Sequence, residues 1–201
     1  IIIFKLKLIA DIGLLGMPNA GKSTFLASTS NAKPKIADYP FTTLVPNLGV
    51  VKIDNSELVI ADIPGLIKGA SSGKGIGDKF LSHIERSSIL MHIIDCTSEN
   101  IVEDYKIVIN ELELFSEILS SKPKLTVLNK IDAIDSMDLK KKIELLSKES
   151  GSDVYCISGI SKEGVPNVLR LLQKIIAKNK VFSHKKDSGT AINVENTGWE
   201  P

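Results

Sequence analysis

Residues 16–23 read Gly16-Met17-Pro18-Asn19-Ala20-Gly21-Lys22-Ser23 and fit the pattern G-x-x-x-x-G-K-[ST]. The flanks suit the motif. An apolar run from Leu8 to Leu15 leads in and reads as a buried strand, and residues Lys22 to Ser30 read as a helix. A strand–loop–helix junction gathers backbone N–H groups and a helix N-terminus at one point, which suits a polyphosphate. Gly16 and Gly21 allow turns that a Cβ would obstruct. Lys22 supplies a cation to the terminal phosphates, and the Ser23 hydroxyl is placed to ligate Mg²⁺. A bare glycine turn capped by Ser would not explain the strand, the Lys-Ser pair and the helix together.

A second motif, Asn129-Lys130-Ile131-Asp132, follows the apolar run Leu125–Leu128. It therefore lies at the C-terminal end of a strand, where open α/β sheets take their ligands. Guanine presents an N1–H and an exocyclic amine side by side, and the Asp132 carboxylate can accept from both. Adenine would set a ring lone pair against it. Loss of partners in a site built for hydrogen bonds discriminates by roughly 10⁴–10⁵. The ligand expected is GTP or GDP, and ATP is disfavoured.

Between these motifs lie groups that could sense a third phosphate. Strand Leu58–Ala61 ends in Asp62-Ile63-Pro64-Gly65, where Asp62 can hold the Mg²⁺ hydration shell and Gly65 can bring an N–H to the γ-phosphate. Upstream, one threonine of Tyr39-Pro40-Phe41-Thr42-Thr43 can give Mg²⁺ a second hydroxyl. Strand Val154–Ile157 ends in Ser158-Gly159-Ile160, whose N–H groups could reach guanine O6; a plain strand-to-helix turn fits that segment as well.

The order of these motifs is that of a translation-factor-type GTPase. Residues 31–51, NAKPKIADYPFTTLVPNLGVV, and residues 62–95, DIPGLIKGASSGKGIGDKFLSHIERSSILMHIID, strongly resemble the Obg family of ribosome-associated GTPases. The resemblance extends over about residues 5–177. It implies a P-loop NTPase fold, GTP hydrolysis, Mg²⁺ and a role in maturation of the large ribosomal subunit. Matched residue by residue, it implies nucleotide contacts at Gly16–Ser23, at Phe41, Thr42, Thr43, Leu44 and Val45, at Asp62–Gly65, at Asn129–Asp132 and at Ser158–Ile160. It implies Mg²⁺ on Ser23 and Thr43, and places Lys22, Thr43 and Gly65 closest to the chemistry. The developmentally regulated GTP-binding proteins are a related branch with a close switch sequence; the block PNLGVV followed by GDKFLSHIER favours the Obg reading. A module that uses GTP only as a structural ligand is the rival from another class.

Three departures from the family pattern stand out. Ser158-Gly159 replaces the usual Ser-Ala, and Lys68 replaces an acidic residue. The family carries a glycine-rich domain ahead of the GTPase, and this chain opens on Ile1-Ile2-Ile3. That reads as an excised domain or a truncated product, with ribosome binding expected to need the missing part.

Leu66 directly follows Asp-x-x-Gly, where Ras has its water-orienting Gln, and it has neither donor nor acceptor. Intrinsic hydrolysis is therefore expected to be slow. The missing charge could come from a partner or from K⁺. In GTPases with an Asn at the place of Asn19, its side-chain oxygen helps hold K⁺ beside the β- and γ-phosphates. Equally, Asn19 could brace the loop by a local hydrogen bond.

The 201 residues suit one GTPase domain over 1–177, followed by a polar segment over 178–201. That segment opens on Lys178, Lys180, Lys185 and Lys186 and reads as a solvated linker or an RNA-touching tail. With a net charge of +1, no global field drives the chain onto nucleic acid or a membrane, and no DNA partner is expected. Hydrophobic content of 43% and charged content of 24% are those of a soluble globular protein. A cytoplasmic location and a monomeric state are the expectations that go with the family resemblance. Nothing reads as a signal peptide, a membrane span or a C-terminal prenylation Cys. Cys96 and Cys156 leave a disulfide open in principle, though free thiols in a reducing compartment fit their apolar surroundings better.

Strand and helix patterns alternate, which predicts a mainly parallel sheet with helices on both faces. Val50–Ile53 and Leu58–Ala61, linked by Asp54-Asn55-Ser56-Glu57, read as a hairpin, so the second strand is expected to be an antiparallel edge. Helical spacing marks one stripe from Ile101 to Leu119, another from Val165 to Ile176, and a shorter helix at Leu139, Ile143 and Leu146.

Overall fold

A computed structural model describes residues 10–31, 35–36, 47–62, 85 and 87–187. Its elements in chain order are β1 (Ile12–Leu15), α1 (Lys22–Thr29), β2 (Lys35–Ile36), β3 (Asn47–Ile53), β4 (Ser56–Asp62), β5 (Ile89–Asp95), α2 (Ile101–Phe115), α3 (Glu117–Ser120), β6 (Lys124–Asn129), α4 (Ser136–Ser150), β7 (Val154–Cys156) and α5 (Val165–Asp187). The strands form one sheet in the order β2-β3-β4-β1-β5-β6-β7. β1 runs parallel to β4 and β5, and β5, β6 and β7 continue parallel. β3 runs against its neighbours on both sides. The expected antiparallel strand is therefore present, but it is β3, the first of the hairpin, and the two-residue β2 pairs outside it and forms the edge. The β3–β4 hairpin turns on Asp54-Asn55, with Ile53 opposite Ser56 and Asp54 at φ 49°. That left-handed turn matches the twist of the paired strands.

Period-two alternation sorts the parallel strands between two faces. Ile89, Met91 and Ile93 of β5 join Ile12 and Leu14 of β1 and Val127 of β6 under α1 and α5, where Phe25, Leu26, Val168, Leu172 and Ile176 close the core. The intervening Leu90 and Ile94 face the other way. Leu90 packs with Val108, Leu112 and Leu119, and Ile94 packs with Leu128, Ile101 and Leu146 of α2 and α4. A sheet buried on both faces explains the almost unbroken apolar runs of β1, β5 and β6.

The apolar stripe from Ile101 to Leu119 is two helices, not one. The break falls at Ser116, whose extended backbone (φ −160°) lets its hydroxyl accept from Leu119 N and cap α3. α4 is longer than its apolar residues suggest. Asp135 caps its start by accepting from Met137 N and Asp138 N, and Gly151, left-handed at φ 63°, ends it. α5 continues to Asp187, into the segment read as a polar tail, where Lys178, Lys180, Lys185 and Lys186 are good helix formers. Among the described residues no helix is long and apolar enough to cross a membrane. The segment 188–201, including Trp199, lies outside the described residues.

Candidate functional site

The motif residues meet at the C-terminal edge of the parallel strands. β1 delivers Gly16 directly, and the loop reaches Gly21 before α1 begins. Both glycines are obligatory. Gly16 (φ 147°) would place a Cβ 2.1 Å from Ile93 O, and Gly21 (φ 93°) would place one 2.2 Å from Asn129 Nδ2. Asn19 also takes a left-handed conformation (φ 64°), which Asn tolerates better than most side chains. Gly21 gives α1 no side-chain cap and the first turn holds no acidic residue, so the N–H groups at that helix end have no capping side chain of their own. Met17 packs against the Leu15–Leu90 cluster and Ala20 is buried in the main core. These two hold the loop down while its backbone remains at the surface.

Lys22 Nζ donates to Gly16 O at 2.8 Å and to Met17 O at 3.0 Å. Burial lowers its pKa, and the nearby Asp62 carboxylate opposes that shift. Ser23 donates to Asp62 Oδ2 at 2.8 Å across 39 positions of sequence. The other oxygen, Asp62 Oδ1, is buried without a hydrogen-bond partner among the described residues. A desolvated carboxylate oxygen beside a hydroxyl is a hard-oxygen donor set, which fits Mg²⁺.

Asn129 ties the site together. Its Nδ2 donates to Ala20 O at 2.9 Å, and its Oδ1 accepts from Gly159 N at 3.0 Å. One side chain, 2% exposed, thus links the first loop to the turn after β7. That turn is braced by Ser158, wholly buried, whose hydroxyl accepts from Ser161 N at 3.0 Å. Ile160 is 77% exposed, so any contact it makes inward is through its backbone. Lys130 is left-handed (φ 67°), Ile131 N donates to Ile157 O at 3.3 Å, and Asp132 is exposed. An open cleft of about 310 Å³ is lined by Asn19, Gly21, Lys22, Ser23, Thr24 and Lys130. The expected residues Phe41–Val45 and Ile63–Gly65 lie outside the described residues.

Two participants escaped the sequence reading. Thr24 lines the cleft from the first turn of α1, beside Ser23. Asp95, at the end of β5, accepts from Lys130 Nζ at 2.5 Å. Burial pushes its carboxyl pKa up, but the hydrogen bonds from Lys130 and Thr97 outweigh this and hold it below the usual carboxylate value. An Asp closing β5 as Asp62 closes β4 was the available signal. Cys96, next along the chain, is a free buried thiol whose pKa burial pushes up to about 11, and Cys156 is free and half-buried. At that pKa Cys96 remains protonated at neutral pH.

A family profile described as 50S ribosome-binding GTPase matches residues 11–130. The protein named GTPase Obg in Rickettsia bellii is 55% identical over 171 residues, spanning 85% of this chain and 52% of that protein. Its namesake in Ehrlichia canis is 52% identical over 193 residues, 96% of this chain and 54% of that protein. The chain thus spans about half the length of these relatives. Among solved structures, a mutant S. thermophilus NFeoB bound to GDP superposes with a TM-score of 0.62 at 23% identity, over 80% of this chain and 60% of that one. An Aquifex aeolicus Era variant bound to GDP.AlF4- gives 0.60 at 24% identity, over 83% of this chain and 55% of that one. These two share its fold. The family match over residues 11–130 takes in the whole phosphate-loop motif and the first two residues of the Asn129–Asp132 motif, so the chain belongs to the 50S ribosome-binding GTPase family and is similar to the Obg GTPases.

Proposed function

We propose that this chain binds guanine nucleotide with Mg²⁺, hydrolyses GTP slowly, and acts as a switch in assembly of the large ribosomal subunit. The observation that carries the reading is the Asn129 bridge, which draws the phosphate-loop motif, the Asn-Lys-x-Asp motif and the Ser158-Gly159 turn into one rigid cradle. Lys22 exchanges its loop carbonyls for the terminal phosphates, and the N–H groups of the loop and of α1 point at the same anion. Asp132 accepts from the guanine N1–H and amine, and the N–H groups of Ser158–Ile160 face O6. Ser23, Thr43 and the hydration shell at Asp62 would hold Mg²⁺, which when bound neutralises charge on the β- and γ-phosphates. Thr43 and Gly65 hold their loops while the γ-phosphate is present and release them when it leaves.

Leu66 offers no hydrogen bond to the attacking water, so turnover is at most about 10⁻⁴ s⁻¹ without help. K⁺ beside Asn19, or a ribosomal partner, supplies the missing charge. The assembly role rests on the family description and on the names of the relatives. Single-turnover release of γ-phosphate tests the enzyme. Release no faster than in buffer alone would leave a GTP-binding module. Retention of large ribosomal particles by protein loaded with a GTP analogue, but not with GDP, tests the switch.

A further inference from the structure

We propose that Asp95 is a positioning residue for the nucleotide base, acting through Lys130. The inference deepens the guanine-nucleotide reading and rests on it. Asp95 and Asn129 are partners in the parallel register of β5 and β6, so the carboxylate emerges beside the residue that begins the base-reading turn. Its two oxygens have separate tasks. Oδ1 accepts from Thr97 N at 2.9 Å and from Thr97 Oγ1 at 2.7 Å, which fixes the carboxylate on its own loop. Oδ2 accepts from Lys130 Nζ at 2.5 Å.

Lys130 needs such a hold. It is a non-glycine residue in the left-handed region (φ 67°, ψ 34°), a conformation that its neighbours must impose. It lines the cleft together with Asn19 and Gly21. With the ammonium tied at Asp95, the apolar stem is stretched along the cleft wall as a fixed ledge for a planar ring. The same anchor steadies the turn two residues before Asp132. Without it a solvated lysine would sweep the cleft, and ordering it on binding would cost side-chain entropy. Preorganisation of this kind acts mainly on the dissociation rate.

The test is release of a fluorescent GDP from the intact chain in a double-mutant cycle. Asp95→Asn is isosteric and keeps an acceptor for Thr97 but removes the charge. It should speed GDP release about tenfold. Lys130→Met, which keeps the stem, should speed it by a similar factor, and the double variant should be no faster than the worse single one. Asp95→Glu, which keeps the charge on a longer arm, should recover part of the loss. If Asp95→Asn fails to fold, Thr97→Val, which removes the hydroxyl donor on Oδ1 and leaves the backbone one, enters the cycle in its place. Release within twofold of wild type in Asp95→Asn, or two substitutions whose effects multiply, would overturn the positioning role alone. A wild-type chain that does not retain GDP would overturn the guanine reading with it.

Discussion

Ser23 Oγ and Asp62 Oδ2 lie 2.8 Å apart, joining the first turn of α1 to the last residue of β4 across the sheet. Asp62 Oδ1 beside them is buried without a partner among the described residues. A carboxylate left half-satisfied in this way is a destabilising feature unless a ligand completes it. Ser23→Ala should therefore raise the Mg²⁺ concentration needed for tight nucleotide binding by about tenfold or more. Its effect on binding in EDTA should be small. A Mg²⁺ titration of GDP affinity checks this, and an unchanged midpoint would make the pair a purely structural clasp.

Asn129→Ala should cost stability as well as affinity. It removes two buried hydrogen bonds and leaves Ala20 O and Gly159 N without their partner. The expected loss is about 2–4 kcal/mol, measured by urea unfolding of the nucleotide-free chain. A variant as stable as wild type would mean that the three loops hold their places independently.

His92 sets a pH dependence. It is buried, stacked on Tyr105 with centroids 5.2 Å apart, and neither ring nitrogen has a hydrogen-bond partner among the described residues. Burial, with the Lys22 and Lys124 charges adding to it, lowers its pKa to about 3. The unfolded chain binds this proton near pH 6.5 and the native chain does not, so the neutral ring stabilises the fold fully above about pH 6.5. That contribution falls away as the pH drops toward about 3. His92→Phe keeps the stack and removes the proton site. Its stability should decline less than that of wild type between pH 6.5 and 4, by on the order of a few kcal/mol. Parallel pH profiles would show that the ring is solvated in the native state.

The K⁺ reading turns on Asn19. GTP hydrolysis should be faster in KCl than in NaCl at one ionic strength, and the difference should vanish in Asn19→Ala. Asn19→Gly, which keeps the left-handed backbone seen at φ 64°, separates loss of the side-chain oxygen from loss of the turn. Equal rates in both salts would leave the charge to a partner.

Much of the site was legible because its chemistry is local. Gly16, Gly21, Lys22 and Ser23 need one strand, one turn and one helix, and all three could be read from adjacent residues. The Asn129–Asp132 motif was legible for the same reason. The apolar run Leu125–Leu128, and the alternation of strand and helix patterns along the chain, likewise announced a mainly parallel sheet with helices on both faces. What escaped depends on register or on polar punctuation. The Asp95–Lys130 contact exists because β5 and β6 align Asp95 with Asn129, which no local pattern encodes. The break at Ser116 is set by one hydroxyl capping α3, while the apolar spacing runs through it undisturbed. β2 is two residues long, too short to carry a period. α5 outlasts its apolar stripe because lysines propagate a helix already nucleated by packing at Val168, Leu172 and Ile176.

The central claim is that the cradle around Asn129 and Asp132 selects guanine. Equilibrium titration of one preparation with fluorescent GTP and ATP in Mg²⁺, repeated with xanthosine triphosphate on Asp132→Asn, measures it directly. The account predicts tight GTP binding, ATP weaker by roughly 10⁴-fold, and a shift toward xanthine in the variant, where a carbonyl meets the new amide donor. Comparable affinities for GTP and ATP in the wild-type chain would contradict it.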